Sequence, residues 1–141
     1  MKKVFKKPYL YNGQIVLAAN AVGQINFQVN SDFNYYMSSF TYRAETAVAN
    51  TIPYFSIQIQ ANEDRIFFDW MPSDYFSGMG IETNPAPDLR YPVGLANWFK
   101  FDSPYPFPAK STIVINLRND TASIITVNFA LNGTRVYSIG E

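Results

Sequence analysis

The side chains here that could carry a reaction are carboxylates. Glu63, Asp64, Asp69, Asp74, Glu82 and Asp88 fall in one central stretch, and two acids flanking a glycosidic bond suffice to hydrolyse it. Asp69 and Asp74 lie on either side of Trp70, with Tyr75 next in the chain, so sugar chemistry is the reaction this pattern would suit. Glu63 and Asp64, by contrast, follow Asn62 in a turn, where acids ordinarily bond their own backbone. Asp64, Asp69 and loop carbonyls offer oxygen ligands for calcium, but the spacing of an EF-hand loop is missing. Histidine and cysteine are both absent, which removes Ser–His and Cys–His nucleophile pairs and the thiolate or imidazole ligands of structural zinc. These acids therefore read as solvated or structural, and the chain as non-enzymatic, with no cofactor and no metal.

The basic residues are more informative. Lys2, Lys3, Lys6 and Lys7 supply four of the eleven in the first seven positions, followed by Tyr9 and Tyr11. We expect residues 1–11 to form a basic, aromatic arm, either a solvated, frayed terminus or an element that docks on an acidic protein surface with the two tyrosines as anchors. Residues 12–141 are expected to form one domain, as a 16.0 kDa chain can bury an adequate core without disulfides. Formal net charge is zero, whereas a nucleic-acid binder needs a basic surplus. No window is long and apolar enough to span a bilayer, and the start lacks the pattern of a secretory signal. Charged residues are only 16% of the chain against a usual ~25%, and aromatic residues are 17%. Such a surface suits a protein covered by neighbours, and a homo-oligomer is expected. Asn119-Asp120-Thr121 and Asn132-Gly133-Thr134 match the glycosylation sequon.

The elements that must position these groups are strands. Ile25, Phe27 and Val29 alternate with polar neighbours, as do Phe55, Ile57 and Ile59, then Ile113, Ile115 and Leu117, then Ile125, Val127, Phe129 and Leu131. Phe33–Arg43 is a long aromatic strand, in which Tyr36, Phe40 and Tyr42 share a parity that predicts them inward and Tyr35 outward. Short strands are expected over 14–18, 65–70 and 96–101, the second returning as a hairpin partner of 53–60. Asn132-Gly133 is the strongest two-residue hairpin signal available and predicts a final strand over 134–139. Met71–Val93 fits neither period and reads as a long loop. The three prolines of Ser103–Pro108 exclude it from a central strand and predict an extended run along a sheet edge. Eight or nine strands without a convincing helix require two facing antiparallel sheets, a β-sandwich.

Ser31-Asp32-Phe33, the run Ser103-Pro104-Tyr105-Pro106-Phe107-Pro108-Ala109-Lys110-Ser111-Thr112-Ile113, and Phe129-Ala130-Leu131-Asn132-Gly133-Thr134-Arg135-Val136-Tyr137 resemble a loose group of small tailed-bacteriophage virion proteins. The resemblance covers about two-thirds of the chain. It implies a jelly-roll-like sandwich of about eight strands, made in the host cytoplasm and carried on the virion. There it would decorate or cement the capsid or head–tail region through other virion proteins. No active-site residues carry over. A competing reading is a carbohydrate-binding module or the receptor-contacting part of a fibre, using exposed Trp70, Tyr75 or Trp98. A glycan-cleaving enzyme built on Asp69 and Asp74 ranks below both.

Overall fold

Two-residue alternation produces strands through most of the described residues. The computed structural model describes residues 3–48, 53–61, 64–65, 70–72, 91–94 and 98–139. Its strands are β1 (Lys3–Leu17), β2 (Val22–Gln28), β3 (Asn34–Thr46), β4 (Phe55–Ala61), β5 (Asp64–Arg65), β6 (Met71–Pro72), β7 (Tyr91–Gly94), β8 (Phe99–Phe107), β9 (Thr112–Asn119) and β10 (Ile125–Ile139).

All pairings are antiparallel, and their order describes one long hairpin. β1 pairs with β10, β2 with β9, β3 with β7 and β8, and β4 with β5 and β6. Rolling that hairpin up brings β10 against β3 and β9 against β4. Two sheets result, β1-β10-β3-β7 with β8 also on β3, and β2-β9-β4-β5 with β6 also on β4. Each sheet thus has four strand positions, the last shared by two shorter segments. This is the jelly-roll arrangement of a double-sheet sandwich.

The inward faces interlock in a core where Tyr35, Met37, Phe40, Ile57, Ile115 and Phe129 are all buried. Phe40 stacks on Phe129 with ring centroids 5.3 Å apart, and Tyr42 meets Phe55 edge-on across the two sheets. The sheets pinch together along the β1/β2 side. A β-carbon at Gly13 would lie 2.6 Å from Ile25 Cγ2, so this close approach needs a glycine. Asn119 fastens the same end. Its buried amide donates to the carbonyls of Leu17 (3.2 Å), Ala18 (3.0 Å) and Ser123 (2.7 Å), while its Oδ1 accepts from the Thr121 amide at 2.8 Å. The first sequon is therefore a turn lock, with its asparagine inside the protein.

Four expectations need correction. The segment 1–11 is not a separate arm: from Lys3 onward it is one continuous strand with 12–17, paired along its length with β10. Apolar Val4, Leu10 and Val16 on its outward face and Lys7 on the other break the two-residue alternation and hide that strand. Asn132-Gly133 is not a hairpin turn either, because β10 runs straight through it. A β-carbon at Gly133 would strike the Tyr36 carbonyl oxygen and come within 2.8 Å of the Tyr35 ring, so this glycine serves close packing. Opposite it, β3 carries a bulge, since Met37 and Ser39 face Gly133 and Asn132 and leave Ser38 as the extra residue. The bulge shifts the parity of β3, which buries Tyr35 and leaves Tyr36 half-exposed, the reverse of the expected faces. Finally, the ends of the expected loop are β6 and β7, while residues 73–90 lie outside the described set. The proline segment does run along an edge, as part of β8.

Candidate functional site

β1 and β10 are each 15 residues long, against seven for β2 and eight for β9. On the inner side Tyr11 packs on Phe27 and Gly13 on Ile25, so β2 is already ending where β1 reaches Tyr11. The remainder, Lys3–Pro8 paired with Thr134–Ile139, continues past the second sheet as a ribbon. β3 still flanks this ribbon as far as Val136, so it is two-stranded only over Lys3–Phe5 and Tyr137–Ile139. At the usual strand rise its overhang is ~15 Å.

The ribbon carries the basic residues picked out in the sequence. Lys6 and Lys7 are exposed, as are Val4 (55%) and Phe5 (48%). Lys3 is the first described residue of the strand, and Lys2 lies outside the described residues. Lys6 stands beside an open depression of about 390 Å³ on the outer face, lined also by Tyr36, Pro104, Thr134 and Val136. Register places these together, since Lys6 opposes Val136 and Thr134 opposes Tyr36.

Tyr9 and Tyr11 face the other way. Both are half-buried and packed against the core, so they anchor the ribbon to its own domain. Tyr11 meets Tyr9 and Tyr35 edge-on at 4.7 and 4.8 Å. The Tyr35 hydroxyl lies within hydrogen-bond distance of the carbonyls of Tyr9 (3.1 Å) and Leu131 (3.3 Å). Burial raises the Tyr35 phenol far above its ordinary range. It raises the Tyr11 phenol as well, against the opposing pull of the Arg135 guanidinium.

Arg135, Phe33 and Tyr137 complete the corner and were not picked out as site residues from the sequence. The Arg135 guanidinium sits 3.3 Å from the Tyr9 ring centroid and 4.6 Å from that of Phe33. It is held between two π-faces, with its buried Nε lacking a hydrogen-bond partner. Phe33 packs on Tyr137, and Lys7 Nζ lies 6.0 Å above the same Tyr137 ring. A signal for this cluster was present, as Arg135 and Tyr137 alternate on one face of a strand. The hairpin assigned to Asn132-Gly133 obscured which strand they pair with. Two exposed cations, Lys6 and Lys7, beside exposed Val4 and Phe5 can bind an anionic surface by charge and by contact.

The acids are not brought together among the described residues. Asp64 is in β5, and Glu63, Asp69, Asp74, Glu82 and Asp88 lie outside the described residues, as does Tyr75. Among the described residues no three acids cluster in a way that could hold a metal ion. Trp70 stands beside the second sheet with the Arg118 guanidinium 5.1 Å over its ring, and Arg118 is tied to Asp120 at 2.8 Å. Trp98, 36% exposed, precedes β8 of the first sheet. The two indoles thus belong to different sheets.

No family model and no curated protein matches the chain. Among solved structures it is similar to dimeric latent PorU from Porphyromonas gingivalis, with 8% identity and a TM-score of 0.37. That match covers 89% of this chain and 13% of the other. It is also similar to the structure of infectious bursal disease virus Gx strain, with 8% identity and a TM-score of 0.23, covering 98% of this chain and 40% of the other. The chain therefore spans less than half the length of either.

Proposed function

We propose that the chain is a non-enzymatic structural protein of a tailed-bacteriophage particle, one that decorates or cements the capsid or head–tail region. The projecting β1/β10 ribbon carries this reading. Exposed Lys6 and Lys7 stand on it beside exposed Val4 and Phe5, and its base is fixed by Tyr9, Tyr11 and Arg135. An ordered ribbon loses less conformational entropy on docking than a frayed terminus. Its chemistry suits an acidic patch on a neighbouring virion protein. The resemblance of the proline–aromatic segment and of the β10 sequence to small virion proteins supplies the setting.

Removing residues 1–11 is a poor test, because it would also strip most of the strand that covers β10. Charge reversal is cleaner. Lys6→Glu with Lys7→Glu alters two exposed side chains, so stability should move by only about 0.5 kcal/mol. Occupancy on particles assembled with this variant should fall at least tenfold relative to the parent chain. Full occupancy would refute the docking role of the ribbon.

A further inference from the structure

β1 is the end strand of its sheet, and among the described residues no strand lies beyond it. A long free edge invites pairing with another strand, and proteins guard such edges with lysine and proline. Here the guards occupy one half only. Lys3, Lys6, Lys7 and Pro8 fill the ribbon, whereas Tyr9–Leu17 holds neither charge nor proline. The unguarded half matches itself when reversed about Gly13. Leu10 then falls opposite Val16, and Asn12 opposite Gln14. All four are exposed on the outer face, Leu10 at 44% and Val16 at 60%. On the inner face Tyr11 falls opposite Ile15 and Tyr9 opposite Leu17. Every pair keeps like with like, apolar against apolar and amide against amide, as cross-strand stabilisation requires. Pro8 meets Ala18, the first residue past the strand, and the lysines clear the partner strand altogether. Like charges are thus kept apart and the pairing is bounded at both ends.

We propose that a second copy of this chain docks antiparallel on the Tyr9–Leu17 edge of β1 about a two-fold axis at Gly13. The two first sheets then join into one continuous sheet, with the basic ribbons projecting at opposite ends. A two-fold contact of this kind is self-complementary by construction. It does not depend on the ribbon docking to another protein, because Lys6 and Lys7 stay outside it.

The chain's lack of cysteine permits a register-specific test. Asn12→Cys and Gln14→Cys are made as two separate single variants of the full chain, each checked for native fold by circular dichroism. Under mild oxidation an equimolar mixture should form a disulfide-linked dimer at least tenfold faster than either variant alone, because residue 12 faces residue 14 of the other copy. Asn12→Lys with Gln14→Lys should abolish concentration-dependent dimer in sedimentation, and Asn12→Glu with Gln14→Lys should restore it. Equal cross-linking rates, or a parent chain that stays monomeric at high concentration, would overturn the proposal. Loss of particle occupancy with unchanged cross-linking would instead concern the ribbon alone.

Discussion

At the scale of single residues, three side chains bear more than their share. Tyr35 and Tyr11 place phenols in surroundings that disfavour the phenolate, chiefly through burial. The native state therefore holds these protons more tightly than the unfolded chain, whose phenols titrate near ~10. Their contribution to stability is complete below about pH 10 and disappears as pH rises through the elevated native values. Thermal midpoints measured upward from neutrality should hold steady and then fall in the alkaline range. Tyr35→Phe should blunt that fall at the expense of about 1 kcal/mol at neutral pH. Asn119 is the third. Replacing it with alanine removes a donor from the carbonyls of Leu17, Ala18 and Ser123, of which the last two keep the Ala21 amide and the Thr121 hydroxyl. It also takes the acceptor from the Thr121 amide, where the turns β1–β2 and β9–β10 meet. Asn119→Ala should lower stability by roughly 2–4 kcal/mol in urea denaturation. Asn119→Asp should not rescue it, because those carbonyls require a donor.

Elements show where local pattern gave way to tertiary packing. The clean alternations of β2, β4, β9 and the first half of β10 were legible because each strand keeps its apolar residues on one face, even where the polar face is covered as well, as at Ser56, Gln58 and Asn116. Two strands misled, and for related reasons. β3 and β10 adjust to each other at Ser38 and Gly133, and a bulge leaves no period in the sequence that marks it. The Asn-Gly pair is a hairpin signal only when the chain is free to reverse, and here Tyr35 and the Tyr36 carbonyl need the space beside Gly133. Gly133→Ala should accordingly cost about 1–3 kcal/mol from overpacking, whereas a solvent-exposed hairpin glycine would yield a smaller loss. Of the site, Lys6, Lys7, Tyr9 and Tyr11 were legible from composition. Their division was not: Lys6 faces outward while Lys7 shares the face of Tyr9 and Tyr11, over the Tyr137 ring, and that depends on the β1/β10 register. Arg135 and Phe33 join the cluster only through that same register.

For the whole molecule, the pairing order is that of a single hairpin rolled into two sheets, so each half of the chain covers the other. Rolling leaves β1 at a sheet edge and lets the longest pair, β1 with β10, outrun the second sheet. Fold alone does not assign work to a jelly roll; the proposed roles rest on the basic ribbon and the self-matching edge. As proposed, both are surfaces for adhesion, one toward an acidic neighbour and one toward a second copy. The most direct measurement is electron microscopy of the native phage particle at a resolution that traces this chain. We predict copies of the sandwich on the capsid or at the head–tail junction, with the Lys3–Pro8 end of each ribbon seated against acidic side chains of the adjoining protein. Particles that lack the chain, or copies whose ribbon points into solvent away from every neighbour, would contradict the account.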